Sequence, residues 1–369
     1  MQRPHRPPLG AFTLSLLVLL VLPLSAQDQS PPSPSTVLAR LRAPDLKLAD
    51  AGPLVQQLRT APVAIRLQAI DTLVATYRER TKLHGKTCET LQKQLTDTMT
   101  RVQKQVLGKQ GAAKADELRA RALAISRREG LTKEIIHSDI DPLVDELQSL
   151  LWPTLDQLKA ADDTLGAAID KLREERGAVA QWYGLYVEAA AGLEMHPAAQ
   201  KHFEKLTVTP PLPADTIDDE IVVRRLLAMP LAARDRRPLE DNETLRAQAE
   251  PQEFAGTTEL NRIRYLLGLP LLRIDERLTK AARDHSTDMH TLGFFAHESP
   301  VEGKRTPSDR ASRFGTSAGA ENIAQGHDTG IGAIRGWWYS PGHHRNMLGG
   351  HARTGLGRCQ QIWTQMFGS

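Results

Sequence analysis

The segment WWYSPGHHRNML, residues 337–348, contains two adjacent histidines, His343 and His344. An imidazole can transfer a proton near neutral pH or ligate a metal ion, so either residue could take part in chemistry. Ser340 precedes them and could serve as a nucleophile beside a histidine base. The alternative is a structural role, because a hydroxyl that precedes a proline at a helix end more often bonds to the local backbone.

The elements that must position this segment belong to a turn-rich C-terminal part of the chain. Residues 254–369 contain 10 of the 17 aromatic residues and 16 of the 26 glycines, which predicts a domain boundary near residue 250. A helix is predicted with Asp275 as its N-cap and Gly293 as its C-terminal stop. Its inner face includes His285, which we interpret as a core histidine rather than a ligand. Two strands, RTGLGRC and IWTQMFG, are predicted to close the chain around a tight turn.

Seven pieces of this part resemble, in order, the CAP superfamily of SCP-like domains, which comprises cysteine-rich secretory proteins, antigen 5 and pathogenesis-related 1 proteins. The resemblance is to the bacterial branch, covers about residues 255–369 and leaves the preceding half of the chain outside it. It implies an α+β domain built as a three-layer α-β-α sandwich with an antiparallel sheet. The matching pieces are LNRIRYLLGLPLLRID, HSTDM, FFAHESPVEG, PSDR, AENIA, WWYSPGHHRNML and WTQMFG.

The resemblance also implies a cleft, which in many family members is lined by two histidines and two glutamates and in some binds zinc or another divalent ion. His297 of AHES and Glu321 of AENIA match one histidine and one glutamate of that set. The other two positions differ from the eukaryotic pattern, since Pro341 replaces the glutamate and Ile362 replaces the histidine. The bacterial pattern SPGH instead places His343 in the cleft.

Two alternatives remain open for this cleft. Two imidazoles and one carboxylate suit a zinc ion with a water in the fourth position, so His297, Glu321 and His343 are candidate metal ligands. They equally suit a polar cluster in which the carboxylate hydrogen-bonds an imidazole. The prediction is therefore weak or conditional binding of zinc or another divalent cation. Ser340, the candidate nucleophile, does not lie in a Gly-x-Ser-x-Gly motif, which disfavours a serine hydrolase built on it.

Other residues of the matching pieces are predicted to hold the domain together. His344 replaces the arginine that is usual in the bacterial pattern and is predicted to be exposed. A histidine at that position would then have no part in the cleft. Structural roles are predicted for Arg310, Asn322, Ser340 and Asn346.

The half of the chain outside the resemblance, residues 37–207, is predicted to be all-α. Apolar residues recur at steps of three and four from Val63 to Val102 and again from Leu143 to Val187. This spacing predicts long helices that pair as an antiparallel hairpin or small bundle. A Pro-rich linker with a short helix is predicted for residues 208–250. Packing or spacing is the default role, and a surface for a protein partner is the alternative.

The first 26 residues have the features of a cleaved secretory signal peptide. Arg3 and Arg6 precede the apolar run AFTLSLLVLLVLPL, and small residues precede Gln27. The apolar run is shorter than a bilayer span, so no stable membrane span is expected after cleavage. Residues 27–36 are predicted to be a flexible Pro/Ser leader.

Charge and cysteine content narrow the possible partners further. The formal net charge of +3 includes Arg3 and Arg6, so the chain without them is near neutral. Such a chain gives no electrostatic reason to expect nucleic acid or an anionic membrane as partner. The two cysteines, Cys88 and Cys359, lie in different segments, and unpaired thiols are favoured over a disulfide between them.

Together these features predict a secreted or periplasmic protein with a helical region followed by a CAP/SCP-like domain, residues 251–369. The favoured function is non-enzymatic binding of a small ligand, lipid or cell-envelope component in the cleft. One alternative is an extracytoplasmic metal-dependent or serine hydrolase. The other is an interaction protein that works through its helical region.

Overall fold

A computed structural model describes residues 31–211 and 217–369, apart from the side chains of Lys109, Ile217 and Asp219. The predicted signal peptide, residues 1–26, lies outside the described residues. The predicted leader is shorter at its C-terminal end than expected, because a helix begins at Pro34. The Ser33 hydroxyl accepts the backbone amide of Thr36 at 3.2 Å, so a serine and a proline start this helix.

The N-terminal part is helical, as predicted. Its two longest helices run antiparallel, since the Arg66 guanidinium donates to the Ala189 carbonyl at 3.0 Å and the Gln94 amide to the Thr164 hydroxyl at 2.7 Å. The helices are α1 Pro34–Leu41, α2 Leu48–Leu58, α3 Val63–Ser126, α4 Lys133–Ile135, α5 Asp141–Leu151, α6 Leu155–Ala161, α7 Leu165–Ala190 and α8 Pro197–Phe203, with a π-helical turn at Ile136–Ile140.

Helix α3 contributes to two separate apolar cores. Its first turns pack with α1, α2 and the end of α7, around residues such as Ile70 and Trp182. Its later turns contribute Leu95 and Leu118 to a second core that includes Trp337 of the C-terminal part. The helix is interrupted at Gly108, whose φ of 40° and ψ of −163° are not helical. The later part of the helical region and the C-terminal domain therefore share the second core, whereas the first core belongs to the helical region alone.

The segment predicted as a linker with one short helix contains two helices, α9 Ile217–Leu227 and α10 Ala233–Leu245. Helix α10 packs on the C-terminal domain, where the Asn242 amide donates to the Leu272 carbonyl at 3.0 Å and Asp235 accepts the amide of Leu271 at 3.1 Å. These polar anchors attach the segment to the domain that follows it.

The C-terminal domain confirms the elements predicted from its sequence signals. Asp275 caps the predicted helix by accepting the Arg277 amide at 2.9 Å, and Gly293 ends it with a φ of 69°. The two closing strands form a hairpin. The elements are α11 Pro251–Leu266, β1 Arg273–Ile274, α12 Glu276–Leu292, α13 Pro307–Arg313, β2 Ala320–Gln325, α14 Gly330–Trp338, α15 Pro341–Met347, β3 Arg353–Cys359 and β4 Ile362–Gly368.

The sheet has the strand order β1-β3-β4-β2 and is mixed, so the prediction of an antiparallel sheet is wrong. Strand β4 is antiparallel to both β2 and β3, but β1 is parallel to β3. Strand β1 has two residues, too few for a strand pattern to show in the sequence. The edge of β1 that faces away from β3 is hydrogen-bonded by side chains. Oδ1 of Asn261 accepts the backbone amide of Leu272 at 2.8 Å, and Oδ1 of Asn242 accepts that of Ile274 at 2.7 Å.

Helices cover both faces of the sheet. A Cβ atom on Gly355 of β3 would lie 2.2 Å from the backbone nitrogen of Thr279, so glycine lets α12 pack directly on this strand. On the opposite face Leu356 points at Gly256 of α11. None of the helices in the described part of the chain has the length and apolar character needed to cross a membrane.

A buried ion cluster joins α9 to α3 and α7. Glu220 accepts hydrogen bonds from Arg176 and, at 3.1 Å each, from Arg224 and Arg246. Burial alone would raise the pKa of Glu220, but the surrounding guanidinium groups lower it to about 2. The Cys88 thiol donates to the same carboxylate at 3.3 Å.

We expect Glu220→Gln to lower the free energy of unfolding by about 3–5 kcal/mol, because it leaves buried guanidinium groups without a counter-charge. Denaturant unfolding monitored by circular dichroism measures this loss. Glu240→Gln on the exposed face of α10 is the matched control and should cost far less. Equal losses for the two variants would show that the cluster does not stabilise the helical region.

Both cysteines are free thiols in the structure, in agreement with the unpaired interpretation. Burial, with Glu220 adding to it, raises the pKa of Cys88 to about 12, which leaves only about 10⁻⁴ of the thiol ionised at pH 8.

We therefore expect a thiol reagent to modify Cys359 in the folded protein and to leave Cys88 unmodified. Mass spectrometry of Cys359→Ala and Cys88→Ala identifies the labelled site. Fast labelling of Cys359→Ala under native conditions would contradict this.

Candidate functional site

The candidate cleft is built around Glu321 of β2, whose side chain is 1% exposed. Its Oε1 atom lies 2.9 Å from Nδ1 of His297, and its Oε2 atom accepts a hydrogen bond from Arg310 at 2.5 Å. The His297 side chain is 50% exposed, so it faces solvent. The carboxylate is thus held from both sides beneath an accessible imidazole.

Arg310 is completely buried and organises the loop that carries His297. Its guanidinium donates to the carbonyls of Lys304, Arg305 and His297 at 2.9, 3.2 and 3.0 Å. The structural role predicted for Arg310 fits these contacts. Its ion pair with Glu321 was missed, because nothing in the sequence indicates which carboxylate a lone arginine will meet.

The structure brings His343 to the same cleft from α15. Its ring centroid lies 6.2 Å from that of His297 and 6.4 Å from that of Trp337. Burial lowers the pKa of His343, and the neighbouring His297 lowers it further. His297, Glu321 and His343 are therefore assembled in one place, while their role toward a ligand or metal stays a prediction.

Two asparagines attach α15 to the strand that carries Glu321. The Asn346 amide donates to the Glu321 carbonyl at 3.1 Å and to Oδ1 of Asn322 at 2.9 Å. The fully buried Asn322 donates to Gln365 at 3.4 Å. Ser340 is the N-cap residue of α15, but its side chain makes no capping hydrogen bond. Pro341 starts α15 at once, and the Ser340 carbonyl accepts the first helical hydrogen bond.

His285 lies behind Glu321 in the interior of the domain. It is completely buried, its Nε2 lies 3.1 Å from the Ala296 carbonyl, and the same ring lies 4.0 Å from Glu321. Burial lowers the pKa of His285, against a smaller effect of Glu321. The position of His285 on the inner face of α12 predicted a core histidine. Its proximity to Glu321 could not be predicted from the helix pattern, because it depends on how α12 packs on the sheet.

His344 is completely buried, so the prediction that it is exposed is wrong. Its Nδ1 donates to the Trp338 carbonyl at 2.8 Å, and its Nε2 lies 3.0 Å from the Ser126 hydroxyl. Ser126 ends α3 of the helical region, which covers this side of α15. No signal in the CAP-like segment itself indicates that cover.

Among the described residues, three potential ligands bring donor atoms within 4.8 Å of one another in the helical region, at His84, Cys88 and Glu220, and not at His297, Glu321 and His343. The thiol is 3.6 Å from Nε2 of His84. A cation here would lie among the three guanidinium groups that already neutralise Glu220. The charge balance favours a structural cluster at this point.

Comparison with known proteins identifies the C-terminal domain. Residues 257–365 match the CAP family, described as the cysteine-rich secretory protein family. The chain is 40% identical over 105 residues to the uncharacterized protein YkwD of Bacillus subtilis strain 168, covering 27% of this chain and 40% of that protein. It is 30% identical over 149 residues to the uncharacterized membrane protein YlbC of the same strain, covering 40% and 41%. The chain thus spans about two fifths of the length of these relatives.

Two solved structures are also similar to parts of the chain. An extracellular protein containing an SCP domain from Bacillus anthracis strain Ames is 31% identical, with a TM-score of 0.30, and the overlap covers 37% of this chain and 44% of that one. An outer surface protein from Borrelia burgdorferi is 22% identical, with a TM-score of 0.28, covering 31% and 88%. At these scores the family match, rather than structural overlap, identifies the domain.

The lowered pKa of His285 predicts a pH-dependent stability. The unfolded chain binds a proton below about pH 6.5, whereas the folded ring resists it, so stability is full above that pH and falls as the pH drops toward the folded pKa. We expect His285→Gln to reduce this acid slope by up to about 1.4 kcal/mol per pH unit. Denaturant unfolding at pH 7.5, 6.5 and 5.5 measures it. His290→Gln, exposed on the same helix, should keep the wild-type slope, and identical slopes for all three proteins would refute the prediction.

Proposed function

Because residues 257–365 are a CAP domain, we propose that this is an exported binding protein whose His297/Glu321/His343 cleft takes a small polar ligand without converting it. The observation that carries the proposal is the arrangement of Glu321. Both of its oxygens accept hydrogen bonds inside the domain, while His297 above it is half exposed. Such a set presents fixed imidazole groups to solvent and keeps the charged groups beneath them.

The donor set fits a divalent metal only in part. In the neutral ring Nδ1 of His297 donates to Glu321, so Nε2 is the atom with a free lone pair. Glu321 then orients the imidazole, as carboxylates behind metal-bound histidines do, and Arg310 already holds its other oxygen. We propose that His297 and His343 would hold a zinc ion weakly and that Glu321 supports them, since tight zinc sites use three or four protein ligands.

The geometry gives less support to a hydrolase. Within the described residues the Ser340 hydroxyl makes no hydrogen bond to either cleft histidine, and Glu321 is too deeply buried to activate a water in open solvent. A general base must reach the proton that it removes, directly or through one water. Binding therefore remains the better interpretation of the cleft.

Export is proposed from the signal-like features of residues 1–26, and the destination is the periplasm or the extracellular space. The helices on both faces of the sheet support the three-layer sandwich expected from the family resemblance. The shared core makes an independent helical interaction module less favourable, because residues 37–207 alone would expose apolar surface that the C-terminal domain now covers.

Zinc is the probe that tests the cleft in the full chain, carried in a Cys88→Ala background so that the second cluster loses its thiol. We expect isothermal titration of the metal-free protein to show weak binding that His297→Ala and His343→Ala each abolish. Glu321→Gln should weaken it about 10- to 100-fold, as expected of a residue that acts behind a ligand. His290→Ala, outside the cleft, is the control. Binding that survives both histidine substitutions, or its absence in the parent protein, would refute the metal part of the proposal.

A further inference from the structure

Helix α15 carries two adjacent histidines into opposite environments. His343 faces the cleft, 6.2 Å from the ring of His297, whereas His344 is completely buried against the helical region. Consecutive residues on a helix differ by about 100° in direction and share one backbone, so α15 cannot shift at one of them without shifting at the other. Whatever fixes His344 therefore fixes His343.

The contacts that fix this helix come from residues 126–141, which we call the α3–α5 elbow because they join the end of α3 to the start of α5. The Ser126 hydroxyl lies 3.0 Å from Nε2 of His344, and the ring of His344 lies 4.3 Å from that of Trp338. Nδ1 of His344 donates to the Trp338 carbonyl, so Nε2 has a lone pair in the neutral ring. The single proton of the Ser126 hydroxyl is shared between this Nε2 atom and the Ala122 carbonyl, which lies 2.9 Å away.

Asp141 is the second contact of the elbow. As the first residue of α5 it accepts the Trp338 indole N–H at 2.8 Å and the Tyr339 hydroxyl at 3.0 Å. A third contact joins the Arg345 guanidinium to the Arg128 carbonyl at 2.9 Å. The stretch between α14 and α15 is thus held at several points by a region more than 190 residues earlier in the chain.

On its other side α15 is tied to the cleft itself. The Asn346 amide donates to the backbone carbonyl of Glu321, so the short helix lies between the elbow and the strand that carries the central carboxylate. Packed elements of this kind move as units, because side chains at both interfaces are close-packed. A displacement of the elbow would reach the cleft through α15.

We propose that Ser126 and Asp141 are positioning residues of the cleft, and that the α3–α5 elbow sets His343 against His297 and so sets the affinity of the cleft. The statement about affinity rests on the proposed binding function, whereas the statement about position does not. Coupling between sites is reciprocal, so a partner that engages the elbow would alter the cleft and a cleft ligand would alter the elbow.

The test compares Ser126→Ala and Asp141→Ala with matched controls in the full chain. Ser149 is the control for Ser126, because each hydroxyl lies 2.9 Å from the carbonyl four residues earlier and only Ser126 contacts α15. Asp156 is the control for Asp141, because both are acidic residues in the first turn of a helix. Amide hydrogen exchange and the ¹⁵N shifts of the His343 ring report position, and zinc titration reports affinity.

We expect faster amide exchange in α15, with α12 unchanged, and a changed His343 ring shift in Ser126→Ala and Asp141→Ala only. Their zinc affinity should fall about 3- to 10-fold, less than for a residue bonded directly to a metal ligand. A merely structural role would lower the melting temperature and leave exchange in α15 and the ring shift unchanged below the transition, which would overturn the proposal. If Asp141→Ala does not fold, Ser126→Ala carries the same test.

The two proposals fail in distinguishable ways. If the parent protein binds no zinc, the metal site is refuted, while hydrogen exchange and the ring shift still decide whether the elbow positions His343. If zinc binds in the cleft and both elbow variants match their controls in every readout, the coupling is refuted and the binding function stands.

Discussion

The buried ion pair between Glu321 and Arg310 is the constraint on which the C-terminal domain depends. A carboxylate that is 1% exposed must be compensated, and a completely buried guanidinium compensates it at 2.5 Å. The same arginine has donors left for three carbonyls of the loop that carries His297. The electrostatic requirement of one strand residue therefore fixes the loop and the position of its accessible imidazole.

A second constraint is the sharing of a core between regions with different sequence character. The later turns of α3 belong to the same apolar core as Trp337 of the C-terminal domain, and Ser126 at the end of α3 contacts the buried His344. The CAP domain therefore has one wall of its cleft supported from outside its own family-defined segment. The helical region, whose sequence contains no recognised functional motif, therefore has a structural role in supporting α15.

The parts that the sequence predicts well are those with local signals. Asp275 and Gly293 bound α12 through capping chemistry, and the tight turn between RTGLGRC and IWTQMFG marks a hairpin. The family motifs identified the CAP domain, and His297, Glu321 and His343 lie together in it. The parallel strand β1, the Glu321–Arg310 pair and the burial of His344 were missed, because each depends on contacts between distant segments that no local pattern encodes.

The break at Gly108 and the double use of α3 have a consequence for the order of folding. The core around Ile70 uses only residues that precede the C-terminal domain, so it can form while the rest of the chain is still being made. The core around Leu118 is incomplete until Trp337 and its neighbours arrive, and contacts of such high sequence separation form slowly. Until then the part of this core that the C-terminal domain covers stays exposed, and transiently exposed apolar surface of this kind favours aggregation and chaperone binding.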